Sequence, residues 1–92
     1  MPKIKFLGNL KRHIPDGEIT LTSGLSLTES LRIIANMHQS LKEILFTPDT
    51  DELRDTYLLV VNGELVRFLE EGSGIILKTD DIVQIFPPIS GG

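Results

Sequence analysis

The chain closes on Phe86-Pro87-Pro88-Ile89-Ser90-Gly91-Gly92, and no charged side chain follows Asp81. Pro87 and Pro88 cannot donate ladder hydrogen bonds, so a strand reaching Phe86 is expected to stop there and leave as a stiff, extended stem. Gly91 and Gly92 have no side chains, which lets another surface close around the backbone. A stiff stem with a bare tip suits threading into a narrow channel, and the group it would deliver is the α-carboxylate of Gly92. A carboxylate is a poor electrophile at neutral pH. To act as an acyl donor it must be activated, commonly as a mixed anhydride with AMP.

No other segment offers competing chemistry. Lys78-Thr79 is preceded by Leu77 rather than glycine, so the phosphate-loop pattern is missing. Gly72 and Gly74 fail the dinucleotide pattern, because Leu77 stands at the third glycine position and no βαβ unit surrounds them. ATP and the catalytic groups would therefore come from another protein. His13 and His38 have no ligand-spaced histidine partner; His13 reads as a solvated turn residue and His38 as the edge of a helix stripe. Asp49, Asp51, Glu52 and Asp55 lack the glycine and terminal glutamate of a calcium loop and are expected to keep a loop solvated. No metal site and no Ser–His–Asp constellation is expected.

The rest of the chain has to position that terminus. Its 92 residues are 40% hydrophobic and 24% charged, with a formal charge of −4. That length supports one domain, read as residues 1–86 followed by a tail at 87–92, and excludes a cleft between domains. The acidic balance argues against nucleic acid, which is gripped by clustered Lys and Arg. No apolar run approaches a membrane span, and nothing at the N-terminus reads as a signal peptide. With no cysteine there is no disulfide, thiol catalysis or thiolate metal site, in keeping with an expected cytoplasmic location.

Residues 3–7 alternate Lys3 and Lys5 with Ile4 and Phe6, the two-residue period of a half-buried strand. The Pro15-Asp16-Gly17 turn leads to a second alternating strand at 18–22, with Ile19 and Leu21 inward, and the two form a hairpin. Ser26-Leu27-Thr28-Glu29 fits a capping box. Leu27, Leu31, Ile34, Met37 and Leu41 then recur at helical spacing, giving one helix to about Gln39 with a further short turn through Ile44. Residues 46–56 read as an exposed loop. Residues 57–61 are continuously apolar and predict an interior strand covered on at least part of both sides. Asn62-Gly63 predicts a type I′ hairpin into a short return strand at 64–67. After a turn at Thr79-Asp80-Asp81, the last strand at 82–86 points Val83 and Ile85 to the helix and Phe86 to the opposite face. Leu7 is expected to extend the Phe86 patch. One amphipathic helix must bury its stripe on one sheet face, so the expected class is α+β, a roll of four to five mixed strands on one main helix.

The element order, Asn62-Gly63-Glu64 in the central hairpin and the FPPISGG ending resemble the ubiquitin-like β-grasp sulfur carriers of the MoaD/ThiS family. The likeness is nearest to the small subunit of molybdopterin synthase and the archaeal ubiquitin-like modifiers. It implies that an adenylating enzyme of the ubiquitin-activating (MoeB/ThiF-like) type uses ATP to adenylate Gly92, and that a sulfur donor then converts it to a thiocarboxylate. It also implies that the large subunit of molybdopterin synthase accepts the tail and holds the pterin precursor. Gly91 matches the penultimate glycine, and Phe86, Pro87 and Pro88 match the partner-facing stem, with Ile89 and Ser90 completing it. Ile89 stands where a smaller aliphatic residue is frequent. The same activated terminus would serve a protein modifier joined to lysines. A noncovalent binding module built on the face around Phe86 would leave the glycine pair without a role.

Overall fold

The computed structural model describes residues 1–46, 57–67 and 74–87. Five strands form one mixed sheet: β1 (Lys3–Phe6), β2 (Glu18–Thr20), β3 (Leu58–Val61), β4 (Glu64–Val66) and β5 (Ile82–Phe86). Their order across the sheet is β2-β1-β5-β3-β4. The two longest-separated strands meet at the centre, where β1 and β5 run parallel with Lys3 beside Ile82 and Phe6 beside Ile85. The outer pairs are antiparallel. Helix α1 (Leu27–Met37) and the short α2 (Gln39–Leu45) cover one face. This is the β-grasp roll expected from the sequence.

Alternation in the strands sorts the side chains as anticipated. Ile4, Phe6, Leu59, Val83 and Ile85 are buried under Leu27, Leu31 and Ile34 of α1 and Leu41 and Leu45 of α2. The capping box is present: Ser26 Oγ accepts from the Glu29 N–H at 3.1 Å, and Glu29 Oε1 accepts from the Ser26 N–H at 3.2 Å. Ser30 is buried among apolar neighbours, and its hydroxyl is satisfied by donating to the Ser26 carbonyl at 2.9 Å.

Three expectations need correcting. The β1–β2 connection is not a simple hairpin turn: a 3₁₀ segment at Gly8–His13 lies within it and buries Leu10, with Ile14 buried just beyond. The helix expected to about Gln39 ends at Met37, and the further short turn expected through Ile44 is a separate helix to Leu45; the two are broken at His38, where φ is −132° and ψ is 89°. An unbroken helix over 27–45 would be about 28 Å long, far longer than these strands, and the break keeps Leu41 and Leu45 over the sheet. Met37 is 61% exposed rather than part of the stripe. At 100° per residue it lies about 80° from Leu27 around the helix and falls on its last turn.

Asn62 and Gly63 both have positive φ, +50° and +86°, as a type I′ turn requires. Asn62 has a second role that its dipeptide does not announce. Its Nδ2 donates to Asp81 Oδ1 at 2.9 Å, and its Oδ1 accepts from the Ile82 N–H at 2.9 Å. The Lys78 N–H donates to the other Asp81 oxygen at 2.8 Å. These bonds pin the β3–β4 turn to the start of β5. The Lys78 backbone bond first, then the Asn62 amide, hold the Asp81 carboxyl below its ordinary value of 3.8. A carboxyl lowered on folding adds stability above its unfolded value, and that stability disappears as pH falls through the lower, folded value. We expect Asn62→Ala to lose about 1–2 kcal/mol through the missing bonds and the left-handed backbone, a fall of about 4–8 °C per kcal/mol in the melting midpoint. The variant should also show a shallower acid loss below pH 3.8 than the parent. Equal acid profiles would show that the Asn62–Asp81 bond does not contribute.

Candidate functional site

The site is built on β5. As the central strand it shows Val83 and Ile85, both fully buried, to the helices, and Ile82, Gln84 and Phe86 to the other face. Nothing described covers that other face. The register sets Leu58 beside Phe86, Val60 beside Gln84, and Leu65 beside Val60. Leu58 is 43% exposed and Leu65 64%. Phe86, Leu58, Val60 and Leu65 thus form a contiguous apolar patch on the β5-β3-β4 half of the sheet. Leu7 joins it as expected: its backbone is extended, and its N–H donates to the Ile85 carbonyl at 3.0 Å, which brings it abreast of Phe86.

The β2–β1 half of the same face is charged. Lys3 and Lys5 lie beside Thr20 and Glu18 in register, and Lys3 Nζ pairs with Glu18 Oε1 at 3.5 Å. The face is therefore divided between an ionic half that keeps water and an apolar half from which β5 leaves the sheet. A contiguous apolar patch of this kind is the ordinary mark of a protein–protein contact.

This face also refines the reading of residues 57–61 as an interior strand covered on at least part of both sides: β3 is interior, between β5 and β4, but no layer covers its outer side among the described residues. Tyr57, Leu59 and Val61 pack toward the core, whereas Leu58 and Val60 face outward. One helical layer covers only one side of a sheet, so alternate residues of an all-apolar strand must be left open on the other. That count of layers, available from the sequence, would have identified Leu58, Val60 and Leu65 as site residues.

Among the predicted stem residues, Phe86 lies on the open face, and Pro87 is half-buried against Gly8. Pro87 also borders a groove with Leu10, Arg12, His13, Ile44 and Tyr57. His13 is not simply a solvated turn residue: its Nδ1 lies 3.0 Å from Ser40 Oγ on α2, tying the 3₁₀ segment to the helical layer. His38 caps the break between the helices, its N–H donating to the Ile34 carbonyl. Pro88, Ile89, Ser90, Gly91 and Gly92 lie outside the described residues, as do Asp49, Asp51, Glu52 and Asp55. Among the described residues no group of three His, Asp or Glu side chains could hold a metal ion. No helix among them is long and apolar enough to cross a membrane.

A five-stranded β-grasp sheet with one open face, apolar over its β5-β3-β4 half, and a central strand followed in sequence by Gly91-Gly92 is the arrangement of the ubiquitin-like carriers and modifiers. Residues 4–92 match the ThiS family, and the chain belongs to it. Small archaeal modifier protein 1 from Methanosarcina acetivorans is 28% identical, with a TM-score of 0.81 over 99% of this chain and 95% of that one. The BexX/CysO complex from Amycolatopsis orientalis contains a chain 22% identical, with a TM-score of 0.78 over 100% of both chains. A Pyrococcus furiosus protein provisionally designated molybdopterin converting factor, subunit 1, is 24% identical, with a TM-score of 0.68 over 96% of this chain and 97% of that one. No curated protein sequence matches the chain. Small carriers of the ThiS/MoaD type are generally non-catalytic.

Proposed function

We propose that this protein is a sulfur carrier whose reacting atom is the carboxyl carbon of Gly92. The reading rests on one observation above the others: β5 lines the open apolar face and leads through Pro87 into the terminal Gly-Gly. A partner that docks on the face thereby takes hold of the strand that delivers the terminus. ATP is bound by that partner, an adenylating enzyme of the MoeB/ThiF type, and not by this chain. A Gly92 carboxylate oxygen attacks the α-phosphorus of ATP, forming the acyl-AMP as the bond to the β-phosphate breaks and pyrophosphate leaves. Hydrosulfide then attacks the acyl carbon directly; alternatively a protein persulfide attacks it to give an acyl disulfide, and a second thiol attacks the donor protein's sulfur, breaking the S–S bond so that the two thiols leave joined as a disulfide. AMP departs and a thiocarboxylate remains.

For the acceptor, we favour a pterin precursor of the molybdenum cofactor, held by the large subunit of molybdopterin synthase. The likeness to the Pyrococcus furiosus protein supports that choice. Such chemistry runs on cytoplasmic ATP, and the absence of cysteine leaves the acyl terminus as the place for sulfur.

Incubation with ATP and the adenylating enzyme should give a C-terminal acyl-AMP by intact mass, and protein from cells should show oxygen-to-sulfur exchange at Gly92. A terminus that stays a plain carboxylate in both experiments overturns the reading. The modifier reading has its own support in the archaeal modifier of 28% identity. It is tested by Gly-Gly remnants on target lysines after proteolysis; their absence across growth conditions removes it.

A further inference from the structure

Gly8 sits where the chain turns out of the sheet after β1, with φ at +63°. A Cβ placed on it would lie 2.7 Å from Pro87 Cγ and 3.1 Å from Pro87 Cδ. Among the described glycines this obstruction is particular to Gly8. Gly24, Gly63 and Gly74 face open space, and Gly17 meets first the flexible side chain of Lys11, at 3.2 Å. A proline ring cannot swing aside as a lysine does, because it closes onto its own backbone nitrogen. Room for a side chain at position 8 must therefore come from a relative shift of the backbones at 8 and 87.

The chain before Pro87 resists such a shift. The Leu7 N–H holds the Ile85 carbonyl at 3.0 Å, and β5 is paired on both sides, with Phe86 opposite Leu58. Displacement at 87 is consequently passed forward, to residues 88–92. Five residues reach at most about 17 Å, so a tilt of about 10° at their root can shift the far end by up to about 3 Å. That is comparable with the whole separation of reacting atoms in an attack-ready complex, about 3–3.5 Å.

We propose that Gly8 is a positioning residue for the tail: its bare Cα receives the Pro87 ring and sets the direction in which residues 88–92 approach a partner docked on the open face. This rests on the carrier reading above. A side chain at position 8 then separates two events that are joined in the parent protein. Docking through Phe86, Leu58, Val60 and Leu65 persists, while delivery of the Gly92 carboxylate to the docked partner's ATP is misaligned.

Gly8→Asn tests this, because Asn tolerates positive φ better than most residues and so adds the Cβ with little backbone penalty. ATP–pyrophosphate exchange with the adenylating enzyme should show kcat lower by about tenfold or more, whereas calorimetric affinity for that enzyme stays within about twofold. Gly8→Asn combined with Pro87→Ala, which removes the ring atoms, should recover most of the lost kcat relative to Pro87→Ala alone. A purely structural role for Gly8 would instead lower the melting midpoint with no selective effect on kcat and no rescue by Pro87→Ala. Parent-like kcat in Gly8→Asn, equal losses of kcat and affinity, or failure of the rescue each overturns the inference and leaves the carrier reading standing. Absence of exchange with the parent protein itself overturns the carrier reading and this inference together.

Discussion

Deletion of Gly92 is expected to reduce ATP–pyrophosphate exchange by the adenylating partner at least 100-fold, with an unchanged melting midpoint. The shortened chain still ends in glycine, so the chemistry of the terminus is preserved and only its reach is altered. One residue removes about 3.3–3.6 Å of extended backbone. Attack on phosphorus requires the carboxylate within about 3–3.5 Å and aligned, and a misplacement of even 1 Å can cost about a hundredfold. Among the described residues the buried core runs from Ile4 to Ile85, and the expected result is that stability does not respond. Adding one residue beyond Gly92 should be equally damaging, because the carboxylate then overshoots. If the deletion variant keeps a tenth or more of parent exchange, the carboxyl carbon of Gly92 is not the reacting atom.

The second large effect is expected at the open face. Phe86→Ala should weaken the complex with the adenylating partner by about 30-fold or more, some 2 kcal/mol, as aromatic anchors at the centre of an interface commonly do. Lys3→Ala, on the ionic half of the same face, should change affinity by less than about threefold, since exposed pairs such as Lys3–Glu18 are worth about 0–1 kcal/mol. Isothermal calorimetry on the two variants makes the comparison directly. A larger loss for Lys3→Ala would move the docking surface to the β2–β1 half. A silent Phe86→Ala would leave the apolar patch without a partner role.

How far these features were legible depends on how local their causes are. Ser26 and Glu29 announced the start of α1 because a capping box is closed within four residues. Asn62-Gly63 announced its hairpin because both residues accept positive φ. Val83 and Ile85 were placed inward, and Phe86 outward, by parity alone. The end of α1 was less legible, since no Pro or Gly marks the break at His38. It follows from the width of the sheet below the helix, which no helical segment encodes. The outward half of residues 57–61 was missed for a related reason: an apolar residue carries no mark of whether a second layer will arrive to cover it.

The sequence by itself determined the strands, the start of α1, the Asn62-Gly63 hairpin and their inward faces, because periodicity, capping and turn preference are properties of neighbouring atoms. Tertiary structure alone decided that β1 and β5 lie parallel at the centre, that Asn62 clamps Asp81, and that Pro87 comes to rest on Gly8. Those contacts join residues 19 to 79 positions apart, and their partners are selected by the burial of a shared core rather than by any preference of the residues that meet.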